Sequence, residues 1–209
     1  MVRKQQSGSA RLDVLREAAK GCRACPLWKN ATQTVFGEGN AKARILLVGE
    51  QPGDQEDRAG HPFVGPAGRI LDEGLEEAGI DRSALYVTNA VKHFKWEPRG
   101  KRRMHKTPAQ GEIEACHQWL QGEIEAVRPA LIVALGATAA KALLGPRFRI
   151  TQDRGKVQVR EGLPPVLATY HPSFLLRVKS RPEGDAIHRQ FVDDLRTAAR
   201  YPVQDKSDR

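Results

Sequence analysis

Arg44-Ile45-Leu46-Leu47-Val48-Gly49-Glu50-Gln51-Pro52-Gly53 begins as a short apolar run and ends in a loop of glycine, proline and polar side chains. A run that is apolar at successive positions, not only at alternate ones, suits a strand buried on both faces, and Gly49 and Pro52 end it. Similar strands are predicted at Ala84 to Val91, at Leu131 to Leu135 and near Pro165 to Thr169. Helical spacing fills the intervals. Arg11 to Lys20 carries Leu12 and Leu15 inward, and Leu71, Leu75 and Ala78 recur behind Pro66. Thr107-Pro108-Ala109-Gln110 reads as a capping box opening a long helix with Ile113, Cys116, Leu120, Ile124 and Val127 on one side. Ala137 to Leu144 and a last segment with Ile187, Phe191 and Leu195 inward complete the set. Strands alternating with helices predict an α/β fold, a three-layer α/β/α sandwich around a central, mainly parallel four-stranded sheet. Ligands of such sheets bind beyond the carboxyl ends of the strands, which directs attention to the loops after Val48, Val91, Leu135 and Thr169.

At 209 residues the chain suits one domain, expected over 1–203, with a polar and disordered tail at 204–209. No apolar run approaches the length of a membrane span, so a soluble, cytoplasmic protein is expected. Lys and Arg number 34 against 25 Asp and Glu, a net charge of +9 that attracts polyanions and makes nucleic acid the natural partner. Lys101, Arg102, Arg103 and Lys106 concentrate that charge in one loop. Of three cysteines, two form Cys22-Arg23-Ala24-Cys25, a spacing suited to a metal or redox centre more than to a secreted disulfide framework. Its segment is placed on a turn by Gly21.

Several stretches follow one another in order. After Gly49-Glu50-Gln51-Pro52-Gly53 with Asp54, Glu56 and Asp57 come His61-Pro62-Phe63-Val64-Gly65-Pro66-Ala67-Gly68-Arg69, then Val87-Thr88-Asn89-Ala90-Val91-Lys92, then Tyr170-His171-Pro172-Ser173-Phe174-Leu175-Leu176-Arg177. Singly, Phe63 reads as a core aromatic and Asn89 as a strand-end turn residue. Together the set resembles the uracil-DNA glycosylase superfamily, most closely its family 4 of iron-sulfur enzymes, from Cys22 to Arg196. The resemblance implies a uracil-DNA-glycosylase-like sandwich that excises uracil from DNA, a reaction that leaves a cationic sugar and an anionic base to stabilise. By position, Phe63 would stack on the extruded uracil, and Asn89 would read its polar edge beside Gly49. His171 would hydrogen-bond a uracil oxygen, Glu50 would serve the sugar, and Glu56 would exclude the methyl group of thymine. Ser173 and the amides around Gly65 to Gly68 suit phosphate, as does Arg177.

Family 4 holds a 4Fe-4S cluster on four cysteines. Cys22, Cys25 and Cys116 match three of these positions and His93 stands at the fourth. Imidazole can replace thiolate on cluster iron. His117 is a rival ligand, and a Cys3His site holding zinc is a rival centre.

The loop between His93 and Cys116 is longer than in compact family-4 chains. Its Lys101-Arg102-Arg103-Met104-His105 run, with Gln51 in the first motif, resembles the UdgX subgroup, whose members excise uracil and then remain bonded to the DNA. His105 matches the residue that captures the sugar carbon, and neighbouring Arg103 and Lys106 are expected to disfavour its protonation. The resemblance therefore implies a single-turnover uracil-DNA glycosylase with catalytic His105, Glu50, His171 and Gln51, with Lys101, Arg102, Arg103 and Lys106 on the DNA. It would act as a monomer on uracil-containing DNA, preferably single-stranded. A conventional multiple-turnover family-4 hydrolase and a non-catalytic uracil-DNA binder or damage sensor are the alternatives.

Overall fold

A computed structural model describes residues 7–202; the tail expected at 204–209 lies outside them. In chain order the elements are α1 (Gly8–Lys20), β1 (Glu38–Gly39), β2 (Ile45–Gly49), α2 (Asp54–Ala59), α3 (Pro66–Glu77), β3 (Tyr86–Asn89), β4 (Trp96–Arg99), β5 (Arg102–His105), α4 (Gln110–Val127), β6 (Leu131–Leu135), α5 (Ala137–Leu144), α6 (Ile150–Asp153), β7 (Val157–Arg160), β8 (Leu163–Thr169), α7 (Pro172–Val178) and α8 (Gly184–Ala199). Short 3-10 turns at Pro26–Lys29 and Arg82–Ala84 join them.

The main sheet has the order β1-β3-β2-β6-β8-β7. Its centre is the expected parallel set, β3, β2, β6 and β8. Two antiparallel edge strands widen it, β1 on β3 and β7 on β8. Alternate side chains of each central strand enter opposite layers, as the two-residue period of a strand requires. Leu46, Val48, Ile132, Ala134, Val166 and Ala168 pack under α4 and α5, while Ile45, Leu47, Leu131, Val133, Leu135 and Leu167 pack under α3 and α8. The three-layer α/β/α reading thus holds, with a wider sheet than expected.

Two local expectations change. The long helix begins at Gln110 behind Ala109, two residues later than a Thr107 cap would give, and the Glu112 carboxylate accepts the Ala109 N–H at 2.6 Å. Alanine offers no oxygen to return the bond, so only the carboxylate half of the box exists. The basic stretch is a hairpin: β4 and β5 pair Trp96 with His105 and Arg99 with Arg102 around a Gly100-Lys101 turn, and Gly100 sits at φ +60°, which a side chain would disfavour. Among the described residues, no helix is long and apolar enough to cross a membrane.

Candidate active site

Chain order runs from β2 outward to β3 and then back across to β6, so the crevice of the sheet opens beyond β2 and β6. A cavity of about 720 Å³ lies there, lined by the strand ends, α2, α5, α7 and the C-terminal end of β5. Glu50, Gln51, Glu56, Phe63, Asn89, His105, His171, Ser173 and Arg177, each expected from sequence, all border it.

At the floor stand Asn89 and Phe63. Asn89 is 2% exposed and its Oδ1 has no hydrogen-bond partner. An orphaned buried acceptor costs about 1–3 kcal/mol, so it points to a donor supplied by a ligand. Phe63 is held at φ +57°, a conformation unusual for a bulky residue, with its ring 6.2 Å from that of His171. Both crowd Gly49: a Cβ there would fall 2.3 Å from Asn89 Oδ1 and 2.6 Å from Phe63 Cζ. Glu56 is buried, its Oε1 accepting the Gly65 N–H at 2.7 Å.

His171 caps α7. Its Nδ1 accepts the Ser173 N–H at 3.1 Å and lies 2.8 Å from Ser173 Oγ, an arrangement that leaves the proton on Nε2. Burial above all, with the charges of His105 and Arg177 against the opposing pull of Glu50, lowers its pKa to about 4. The ring is therefore neutral at pH 7 and can donate from Nε2. Ser173 is engaged by this histidine and by Arg177 Nη1 at 3.4 Å, so its hydroxyl already has partners before any phosphate arrives.

Glu50 begins the loop after β2. Burial raises its pKa, but the close approach of His105, the hydrogen bond from Thr138 and the field of His171 outweigh this and hold the carboxyl below the ordinary range. Thr138 Oγ1 donates to Oε2. His105 Nε2 stands 3.3 Å from Oε1, too poorly aligned for a good hydrogen bond, and Oε1 is otherwise without a partner. An anion and an exposed imidazole thus share the cavity wall. Thr138 was not foreseen; its only trace in the sequence is a hydroxyl in the first turn after Leu135-Gly136.

Three expected roles are revised. Gln51 does not present its amide to the cavity: Nε2 donates to the carbonyls of Lys95 (3.1 Å) and Lys106 (3.2 Å), and Oε1 accepts from Lys95 N–H (3.1 Å). It staples the hairpin that carries His105. Arg103 does not face outward. Its Nε bonds Asp54, its Nη1 bonds the fully buried Asp57 at 2.6 Å, and its guanidinium lies over Phe94 and Trp96. Lys106 pairs with Glu97, so neither cation is free to act on His105 as expected. Lys101 and Arg102 remain exposed at the tip.

Behind Asn89 lies a network that sequence reading missed. The Lys92 ammonium contacts Glu123 Oε2 (2.5 Å), Thr88 Oγ1 (2.6 Å) and the Asn89 carbonyl (2.7 Å), with both charged ends sealed from solvent. The long α4 supplies Glu123 from its inner face, where spacing alone marks an apolar position.

The thiols gather elsewhere. Cys25 and Cys116 are buried with Leu27, Val91 and Ile113, and burial pushes the Cys116 thiol up to about 11. Cys116 Sγ accepts the Lys92 N–H and Cys22 Sγ the Trp119 indole N–H, each at 3.2 Å. A hollow of about 440 Å³ opens between Cys22 and His93. Sheltered thiols, N–H donors to sulfur and adjoining space fit a sulfur-ligated centre. His93, expected as the fourth ligand, is engaged elsewhere, its Nε2 lying 3.0 Å from Thr34 Oγ1, and no group of three or more His, Cys, Asp or Glu side chains among the described residues is arranged to hold a metal ion. His117 is exposed, away from Cys116.

Residues 36–196 match the profile of the Uracil DNA glycosylase superfamily. The chain belongs to that superfamily. The Type-4 uracil-DNA glycosylase of Thermotoga maritima is 41% identical over 191 residues, covering 91% of this chain and 94% of that protein. That of Pyrobaculum aerophilum is 39% identical, covering 88% and 91%. The Type-4 enzyme of Archaeoglobus fulgidus is also 39% identical, covering 78% and 82%.

Proposed function

We propose that this superfamily member is a uracil-DNA glycosylase of the UdgX kind, which excises uracil and then bonds to the resulting sugar through His105. Membership in the superfamily and the Type-4 relatives support the glycosylase reading. The observation that carries the covalent step is His105 Nε2 at 3.3 Å from Glu50 Oε1, at the wall of the same cavity as Asn89, Phe63 and His171.

Uracil would enter with its imide N–H on the orphaned Asn89 Oδ1 and its ring against Phe63. As the bond from N1 to the sugar C1′ breaks, negative charge on the base is met by the neutral His171 Nε2–H, and positive charge on the sugar by the Glu50 carboxylate. His105 Nε2 then supplies the electron pair to C1′. The attacking Nε2 is the bare nitrogen of the neutral ring, so the imidazole proton sits on Nδ1 and leaves from there to solvent once the ring is bonded, while the departing uracil anion takes a proton from solvent, so charge and protons balance. Holding the ring beside the cation gives it an effective concentration that water in an open cleft lacks. Glu56, fixed by the Gly65 amide, would border the uracil ring where a methyl group would lie. Lys101, Arg102 and Arg177 would meet phosphates.

Cys22, Cys25 and Cys116, with His93 turned from Thr34, would hold a 4Fe-4S cluster that ties the N-terminal turn to α4 and supplies no step of the reaction. The reading further takes the chain as one monomeric domain with that segment included, acting on single-stranded DNA, where extruding a base costs least.

Incubation with a uracil oligonucleotide followed by denaturing electrophoresis should give a protein–DNA species resistant to denaturation, and His105→Ser should release free abasic DNA instead. Multiple turnover with free abasic product from the unaltered protein would overturn the covalent reading and leave a conventional hydrolase; no uracil release at all would overturn both.

A further inference from the structure

Of the two oxygens of Glu50, one is engaged from within the protein and the other is not. Oε2 accepts a hydrogen bond from Thr138 Oγ1, while Oε1 has no hydrogen-bond partner and lies 3.3 Å from His105 Nε2. The side chain is only 18% exposed, so water does little to orient it. Because the two oxygens of a carboxylate are equivalent acceptors, the anchored one decides where the free one points. Among the described residues, the hydroxyl of Thr138 is the only side-chain group hydrogen-bonded to Glu50. The titratable groups around the carboxylate are His105 at the end of β5 and His171 at the start of α7, with Glu56 of α2 and Arg177 of α7 on the lining of the same cavity.

The donor stands on a part of the fold that is itself fixed. β6 passes into α5 through Gly136, at φ +93°, whose N–H donates to the Thr169 carbonyl at 2.9 Å. A Cβ at Gly136 would fall 2.8 Å from His171 Cβ, so the start of α5 is pressed against the residue that caps α7. Ala139 and Ala140, next in the helix, are fully buried. Thr138 therefore belongs to a first turn held from two sides, at the end of the helix where its dipole favours an anion.

We propose that Thr138 is a positioning residue for uracil excision, holding Oε2 of Glu50 so that the bare Oε1 stays turned to the sugar on which positive charge develops. This rests on the glycosylase reading and deepens it. Removing the hydroxyl leaves a sheltered carboxylate with neither oxygen hydrogen-bonded, and such a group responds by turning or by taking up a proton. Either response draws negative charge away from the sugar in the transition state. Neither alters the fit of an intact nucleotide, which carries no cation for Glu50 to meet.

The test is single-turnover uracil release from a single-stranded uracil oligonucleotide, followed across pH, for two variants. Thr138→Val keeps the shape of the side chain and deletes the donor; Thr138→Ser keeps the donor. Binding of an oligonucleotide carrying a 2′-fluorinated, uncleavable deoxyuridine is measured beside it. At about pH 7, Thr138→Val should release uracil on the order of tenfold more slowly than the unaltered protein. The donor favours the ionised carboxyl, so its loss should move the acid limb of the profile up by about one pH unit, while binding of the uncleavable DNA stays within about twofold. Thr138→Ser should restore both the rate and the limb. An unmoved acid limb in Thr138→Val, a loss of binding as large as the loss of rate, or a Thr138→Ser as slow as Thr138→Val each overturns the role of the hydroxyl while uracil release by the unaltered protein stands. Absence of uracil release from the unaltered protein is a separate result, which removes the glycosylase reading and the positioning of Glu50 with it.

Discussion

Replacing Arg103 by methionine tests how the His105 arm is held. Met keeps the apolar stem over Phe94 and Trp96 and deletes the guanidinium that bonds Asp54 and Asp57. The Asp54 side chain is 41% exposed, so its share is small, about 0–1 kcal/mol. Asp57 decides the magnitude. It is fully buried, and removing one partner of a buried pair costs about 3–5 kcal/mol because the remaining charge is stranded. The Thr32 N–H still reaches Asp57 at 3.0 Å, which points to the lower end. A loss of about 3 kcal/mol in a chain of this size lowers the melting temperature by roughly 6–12 °C, readable by calorimetry. Arg102→Met, at an exposed position of the same strand, should move stability within about 0.5 kcal/mol. With its clamp gone the hairpin would hold His105 less well. Adduct formation at a temperature where the variant is folded should slow on the order of tenfold to a hundredfold, the cost of a misplacement near 1 Å. A melting temperature within about 2 °C of the parent, with an unchanged adduct rate, would refute the clamp.

Other outcomes follow from the same cavity. Because the His171 pKa is near 4 and Glu50 titrates below the usual carboxylate range, uracil release measured in single turnover should stay level from pH 8 down to about pH 5 and fall only below that; a midpoint between pH 6 and 7 would contradict the neutral, pre-set histidine. The sign for stability is the same: the unfolded histidine binds a proton below its ordinary pKa of about 6.5 while the folded one resists until about 4, so His171 contributes stability above pH 6.5 that is lost as pH falls through that window. Gly49→Ala should depress uracil release on the order of a hundredfold by driving Asn89 and Phe63 off position, with little change in the covalent competence of His105 toward any sugar cation that still forms. Unchanged release by that variant would show that the crowding at Gly49 is absorbed without consequence.

The central strands were legible because burial on both faces writes an unbroken apolar run, and β6 and α5 have the bounds their patterns gave. The edges were not. Glu38–Gly39 is too short to carry a period, and Val157–Arg160 is only half-covered, so neither needs an apolar run. The β4–β5 hairpin escaped for a different reason: it has no buried face, and what fixes it is an arginine reaching carboxylates about fifty positions earlier in the chain, together with Gln51 gripping its base. Within the site, the positions of Glu50, Asn89 and His171 at the cavity were readable from their ordered motifs because each lies at or just after a strand end, and that of Phe63, in the loop between α2 and α3, from its motif alone. The inward turn of Arg103, the stapling by Gln51 and the hydroxyl of Thr138 depend on contacts between distant segments. A single sequence gives the charge of Arg103 but not the direction in which it is satisfied.

Gln51 grips only main-chain atoms, the amide and carbonyl of Lys95 and the carbonyl of Lys106. The Lys106 N–H also closes onto the Lys95 carbonyl at 3.0 Å, so the base of the hairpin is a peptide-to-peptide buckle. A buckle of that sort is indifferent to which side chains stand at 95 and 106. The arm beyond it is in effect a cassette whose turn can change in length and decoration, provided that the two strands come back to the same pair of peptide groups, an arginine returns to the acidic end of α2 and a histidine returns to the cavity wall beside Glu50.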